Sequence, residues 1–155
     1  MGISDIKTYS EQKKLLKKEI LLNKISNIKS AAFLGSVKSR LDDQNCVEHW
    51  LKKTYNLKKI DTFDISDNNF DLNKSNWKIK NYDLVLCFRT TQYANNKELF
   101  LQELKKVVNF NKFVIIQFTL YSGIIFYKNK PYIDYFCSEP RMPPGNLVFD
   151  TRNLL

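Results

Sequence analysis

The chain has 155 residues, 43% of them hydrophobic and 14% aromatic, which is the size and apolar content of one ordinary domain with a real core. Only 4 Gly and 4 Pro are present, which argues against long disordered linkers. The balance is basic, 25 Lys+Arg against 16 Asp+Glu for a net +9. That charge points to an anionic partner such as nucleic acid, another phosphate-bearing substrate or a membrane surface; the alternative is plain solvated lysine in a Lys-, Asn- and Ile-rich composition. The 3 cysteines, Cys46, Cys87 and Cys137, are far apart, and the 1 histidine, His49, makes no close ligand pair with them. No metal site is expected, and an odd count of separated cysteines fits a reduced, cytoplasmic protein. The stretch Met1 to Lys14 has no apolar core of the signal-peptide kind, and no run reaches the roughly 18 apolar residues of a transmembrane segment.

The first helix is expected from Ser10 to Ile28. Thr8 and Glu11 have capping-box spacing, and Leu15, Leu16, Ile20, Leu21, Leu22, Ile25 and Ile28 recur at helical intervals. Lys13, Lys14, Lys17, Lys18 and Lys24 lie on the other side. Such a helix covers a sheet with its apolar face, or lies on phosphates or a membrane. Ala31 to Leu34 is a short apolar run stopping at Gly35-Ser36, the pattern of a buried parallel strand ending in a turn. A helix is expected from Gln44 to Tyr55, with Asp42 and Asp43 placed to favour its positive end. Lys58 to Ile65 has the pattern of a second strand. The polar stretch Ser66 to Asn81 has room only for a short strand near Phe70-Asp71-Leu72.

Tyr82 to Phe88 is the strongest strand signal in the chain. A helix follows from an N-cap near Asn95 to about Val108, with Leu99, Leu101, Leu104, Val107 and Val108 inward, and Asn109 to Asn111 end it. Lys112 to Phe118 is again strand-like. Gly123 to Tyr127 and Pro131 to Phe136 flank Lys128-Asn129-Lys130 as a hairpin, and Asn146 to Asp150 can form a last strand. Strands alternating with helices and then a hairpin give an α/β sheet, mostly parallel with an antiparallel C-terminal edge hairpin and helices on both faces. One domain over residues 1–155 is expected: a helical segment 1–29, an α/β core 30–118, and a hairpin and tail 119–155. The hairpin and its approach carry Tyr121, Phe126, Tyr127, Tyr132, Tyr135 and Phe136, enough aromatic surface for an oligomer contact if alternation does not turn half of them to the core.

Ligands of open α/β sheets bind at the carboxyl ends of the strands. The turns there carry a resemblance. Tyr82-Asp83-Leu84-Val85-Leu86-Cys87-Phe88, then Phe100 to Val108 with its Glu103-Leu104-Lys105-Lys106-Val107, then Phe113-Val114-Ile115-Ile116, resemble the strand, helix and strand of the second half of a class I S-adenosylmethionine-dependent methyltransferase. Phe33-Leu34-Gly35-Ser36 resembles that family's first strand and loop, and Thr62-Phe63-Asp64-Ile65-Ser66 its second strand. The match covers about residues 30 to 118 and implies a Rossmann-like methyltransferase-type fold.

The resemblance further implies S-adenosylmethionine as cofactor and methyl transfer to an acceptor. By position, Gly35 and Ser36 belong to the cofactor loop, Asp64 is the ribose ligand, Asp71 the adenine-side residue, and Phe88 ends the strand beside them. Arg89 and Tyr93 fall on the turn that faces the substrate. Each also has a plain reading as a turn or surface residue. The family's later loop glycines are replaced by Val37 and Ser39, and a β-branched Val37 suits a positive φ poorly. Two rivals stand beside methyl transfer: a non-catalytic module of the same fold binding nucleic acid or a protein partner, and another reaction on the same nucleotide ligand. No catalytic residue is singled out. His49, far along the chain from the substrate turn, and Cys87, inside a strand, are expected to be structural.

Overall fold

In the computed structural model, residues 3–22, 24–88, 90, 93–118, 123–127, 130–134 and 145–150 are described. The apolar runs form the strands β1 (Ser30–Leu34), β2 (Lys59–Phe63), β3 (Tyr82–Phe88) and β4 (Val108–Phe118). The helices are α1 (Ile3–Leu22), α2 (Val47–Tyr55), the single turn α3 (Ile65–Asn68) and α4 (Lys97–Val107). Three further strands follow, β5 (Gly123–Tyr127), β6 (Lys130–Asp134) and β7 (Gly145–Asp150). The main sheet has the order β2-β1-β3-β4-β7. Its first four strands are parallel, and β7 runs antiparallel against β4.

Alternation along each strand divides the core in two. Ala31, Phe33, Leu84, Leu86 and Ile115 face α1 and α2, meeting Leu16, Ile20, Val47 and Leu51. Ala32, Leu34, Val85, Cys87, Val114 and Ile116 face α4, meeting Leu101 and Leu104. The sheet is therefore covered on both faces, which is why β1 and β3 carry unbroken apolar runs, Ala31–Leu34 and Leu84–Phe88, rather than alternating with polar residues. Each fully buried Leu or Ile contributes about 1.5–3 kcal/mol of hydrophobic stabilisation.

Several sequence-based boundaries move. Helix α1 begins before Ser10, so Thr8 and Glu11 lie within it rather than at its start. It stops at Leu22, where the N–H of Ile25 bonds the carbonyl of Ile20 at 3.0 Å and that of Lys24 bonds Leu21 at 3.2 Å. Lys24 adopts φ 51°, completing a Schellman termination that returns Ile25 to the core. Leu21 and Leu22 are 78% and 64% exposed, not core. Helix α2 starts at Val47 rather than Gln44, because Asp43 makes a turn of its own: its carboxylate accepts the Asn45 N–H at 2.9 Å and its carbonyl the Cys46 N–H at 2.9 Å. Helix α4 is capped by Asn96, whose side chain accepts the Leu99 N–H at 3.0 Å. Asn109 to Asn111 are no terminator, since α4 passes directly into β4.

No strand forms at Phe70-Asp71-Leu72. The segment is held instead by ring contacts, Phe63–Phe70 at 5.7 Å, Phe70–Trp77 at 5.0 Å and Trp77–Phe100 at 5.8 Å between centroids. Glu103 on α4 anchors it further by accepting the Trp77 N–H at 3.1 Å. The hairpin β5–β6 pairs Gly123–Tyr127 with Lys130–Asp134 in a two-stranded sheet of its own, so β7 rather than the hairpin supplies the antiparallel edge of the main sheet. The interface expectation for Tyr121, Tyr135, Phe136 and the hairpin side chains lies outside the described residues.

Candidate functional site at the strand tips

Two clefts open at the carboxyl ends of β1, β2 and β3, and Gly35 lines both. Gly35 follows β1 with φ +78° and donates its N–H to the Phe63 carbonyl at 2.7 Å, tying the tip of β1 to that of β2. Only glycine takes this conformation without strain. Space forbids a side chain as well: a Cβ would stand 2.6 Å from both Cγ2 and Oγ1 of Thr90. The Thr90 hydroxyl donates between the carbonyls of Leu34 (3.0 Å) and Phe88 (2.9 Å), which holds the residue in place. Nothing local in the sequence marks Thr90 beyond its place on the turn after β3, because the glycine it packs on is distant in the chain.

The first cleft, of about 480 Å³, is lined by Phe63, Asp64, Ile65, Phe70, Asp71, Leu72, Asn73, Thr90 and Tyr93 beside Gly35. Asp64 caps α3: its Oδ1 accepts from the Ser66 N–H at 2.9 Å and the Ser66 hydroxyl at 2.6 Å. Asp71 likewise turns the chain, accepting the Asn73 N–H at 2.9 Å. Asn73 then crosses to the opposite wall, donating to the Tyr93 carbonyl at 3.1 Å and accepting the Asn95 N–H at 2.7 Å. Tyr93 is 66% exposed at the rim. The tertiary fold thus brings Gly35, Asp64, Asp71 and Tyr93 to one cleft, although the strand expected to carry Asp71 is absent.

The second cleft, of about 270 Å³, lies on the α1–α2 side and includes Gln12, Phe33, Ser36, Val37, Arg40, Glu48 and Phe88. Ser36 and Phe88 therefore belong here and not with Asp64. Val37 has φ −93°, ψ 150°, ordinary extended backbone, so the positive φ that made it unsuitable is not required of it. It leads into a 3₁₀ turn, Lys38–Leu41, whose first N–H is bonded by Asp67 of α3. Glu48 is 3% exposed on the first turn of α2, and its Oε1 accepts from the Ser36 hydroxyl and from Arg40 Nε, both at 2.8 Å. Burial works against the Arg40 guanidinium, but the Glu48 carboxylate outweighs it and raises the Arg40 pKa. The signal for Glu48 was present in the sequence: it is a glutamate on the arc of α2 that buries Val47 and Leu51.

Arg89 lies outside the described residues. His49 has a structural contact, its Nδ1 being 3.0 Å from the Leu41 carbonyl. Cys87 is fully buried in β3, where burial pushes its thiol pKa up. Cys46 occupies the N-cap position of α2 without a side-chain cap, and burial raises its thiol pKa to about 11, which keeps it protonated and unreactive near neutrality.

No family model and no curated protein matches this sequence. Solved structures do. One is a protein named as a methyltransferase in its complex with the Haloferax volcanii Trm112 methyltransferase activator, at 11% identity, covering 75% of this chain and 57% of that one with a TM-score of 0.51. Another is the O-methyltransferase of a Brevibacillus brevis trans-AT PKS multienzyme in complex with S-adenosyl-L-homocysteine, at 15% identity, covering 77% of this chain and 48% of that one with a TM-score of 0.49. The chain spans about half the length of the structures it matches. At such identities the likeness concerns fold, and it agrees with the observed order of parallel strands with helices on both faces. The chain has the Rossmann-like fold of the class I S-adenosylmethionine-dependent methyltransferases.

Proposed function

We propose that this chain, one domain over residues 1–155, binds S-adenosylmethionine at the tips of β1 and β2 and transfers its methyl group to an anionic acceptor such as a nucleic acid. The observation that carries the reading is the convergence of Gly35, Asp64, Asp71 and Tyr93 on one cleft at the carboxyl edge of a parallel sheet of this fold. The residues fit a nucleoside. Phe63, Ile65, Leu72 and Tyr93 offer apolar and aromatic walls for a base, and Asp64 offers a carboxylate for ribose hydroxyls. Only Oδ1 of Asp64 is engaged by Ser66, and a carboxylate has acceptor sites to spare. With Thr90 packed over Gly35, the ligand would lie beside the glycine rather than across it.

When bound, the cofactor supplies an activated sulfonium methyl for in-line displacement. What the protein adds is mainly placement. Asp64 would fix the sugar, the ring walls the base, and the Gly35–Phe63 bond would keep the two strand tips in register. Tyr93 and Arg89 remain candidates for contacting the acceptor, and the net +9 charge favours one that bears phosphate.

A second reading is a non-catalytic module binding nucleic acid or a protein. The packing of Thr90 into the space over Gly35 favours it, because that is space a cofactor can use. Calorimetric titration with S-adenosylmethionine and S-adenosylhomocysteine separates the two. Micromolar binding, lost in Asp64→Ala, supports the cofactor site. Absence of binding at millimolar ligand rejects it and turns the question to salt-dependent nucleic-acid binding.

A further inference from the structure

Strand β2 is an edge of the main sheet among the described residues, since no strand forms at Phe70-Asp71-Leu72. A third cleft, of about 290 Å³, opens between the end of β2 and the segment that follows α3. Its walls are rings: Phe63 and Phe70, 5.7 Å apart between centroids, and Trp77, 5.0 Å from Phe70. All three are partly buried, so the rings are recessed rather than projecting. Lys74 and Lys78 bring exposed ammonium groups to the same cleft. Exposed Lys80 follows in the chain, and Lys59 Nζ lies 4.0 Å over the ring of Tyr82, which is itself in edge contact with Phe63.

The segment carrying Trp77 is held in place. Buried Glu103 accepts the Trp77 N–H at 3.1 Å, and the indole N–H donates to the Lys74 carbonyl at 2.7 Å. None of Lys59, Lys74, Lys78 and Lys80 forms an ion pair among the described residues. The carboxylates nearby are already engaged, Glu103 by Lys106 at 2.7 Å and Asp61 by the Tyr82 hydroxyl at 2.6 Å. Asp71, where this cleft meets the first, accepts the Asn73 N–H.

We infer that this third cleft binds single-stranded nucleic acid. One unpaired base enters among Phe63, Phe70 and Trp77, and the flanking phosphates rest on Lys59, Lys74, Lys78 and Lys80. Ring walls beside unpaired lysines are the chemistry of sequence-tolerant single-strand binding. A duplex keeps its bases stacked and cannot place one in such a cleft. An anionic membrane calls for projecting apolar side chains, and none of the exposed large hydrophobic residues lines this cleft. The inference rests on the nucleic-acid partner proposed above and not on cofactor binding, because Gly35 and Asp64 lie outside this cleft.

The test is fluorescence anisotropy of a short labelled oligouridine, without cofactor and across salt concentrations. It compares the wild type with Lys74→Gln/Lys78→Gln, a change at two exposed positions that spares the packed rings. The wild type should prefer the single strand to its duplex with oligoadenosine. The double variant should bind about tenfold more weakly, and its slope of log K against log salt should be shallower by about 1.4, two phosphate contacts at about 0.7 each. Photocrosslinking of the wild type with a 5-iodouridine oligomer should label residues 63–80. Unchanged binding by the double variant, or a cross-link outside that segment, overturns the inference and leaves a nucleic-acid partner to another surface. A duplex bound as tightly as the single strand, or tighter binding to phosphatidylserine vesicles, overturns it as well. No oligonucleotide binding at low salt rejects both the partner and the cleft assigned to it, while the cofactor titration still decides methyl transfer by itself.

Discussion

Asp83 and Glu48 are both buried carboxylates, 9% and 3% exposed, one at the entry to β3 and the other on α2 bonded to the turn that follows β1. Asp83, at the entry to β3, uses both oxygens: Oδ2 accepts the Lys29 N–H at 2.9 Å and Oδ1 the Asn109 amide at 3.1 Å. Its own N–H is bonded by Ser30 Oγ at 2.9 Å. Glu48, at the exit from β1, has one oxygen filled and one unpartnered among the described residues. Equal burial therefore means different things. A saturated carboxylate ties the entry of β3 to its neighbours, and a half-used one keeps acceptor capacity that the described residues do not fill.

The same contrast sets the order of expected effects. The largest is at the strand tips, where Gly35→Ala meets both a positive φ and the Thr90 side chain. A left-handed conformation costs about 1–2 kcal/mol and overpacking about 1–3 kcal/mol, so a loss near 3 kcal/mol is expected in urea denaturation. A double-mutant cycle with Thr90→Ala should show coupling, and strict additivity would mean that the contact does not matter.

Isosteric amides then compare the two carboxylates directly. Asp83→Asn can keep its carbonyl toward the Lys29 N–H only by turning its NH₂ toward Asn109, which must flip its amide to accept, and with the carboxylate charge also lost the cost is about 2 kcal/mol. Glu48→Gln can place its NH₂ at the unpartnered position and keep the carbonyl toward Ser36, at less than about 1 kcal/mol. If Glu48→Gln proved as costly as Asp83→Asn, the distinction between the two ends would collapse.

The smallest effect is in acid. Burial alone would raise the Asp83 pKa, but the Lys29 N–H, the Asn109 amide, the Lys112 charge and the backbone N–H of Ser30 together hold it below the ordinary carboxylate value. Glu103 is lowered in the same way: burial opposes ionisation, and Lys106 with the N–H groups of Trp77 and Asn76 outweighs it. A carboxylate whose folded pKa is depressed stabilises fully above its unfolded value, roughly 4, and that stability is lost as the pH falls through the lower folded value. Asp83→Asn should therefore flatten the acid limb of a Tm–pH profile, and an unchanged slope would contradict the assigned partners.

The legible parts of the fold were those with strong local patterns. Tyr82–Phe88 forms the strand expected of it because its apolar run Leu84 to Phe88 suits a strand buried on both faces, while Asp83 at its entry is held by hydrogen bonds. Helix α4 and strand β4 follow the same logic. The failures sit where distant contacts overrule local ones. Phe70 and Leu72 look strand-like, yet Phe70 packs tilted against Phe63 and edge-on against Trp77, and ring packing rather than a ladder stabilises that segment. Thr8 and Glu11 have the spacing of a cap, but the helix continues upstream of them.

The sequence by itself determined the strand–helix order and named Gly35, Asp64, Asp71 and Tyr93, because apolar runs, turn residues and a family-like spacing are local facts. Only the tertiary structure decided that these four share one cleft, that Ser36 and Phe88 line another, and that Thr90 occupies the space above Gly35. It alone also left Glu48 with one oxygen filled and one unpartnered among the described residues. Hydrogen-bond saturation and steric closeness depend on residues that are far apart in the chain, and no local pattern records them.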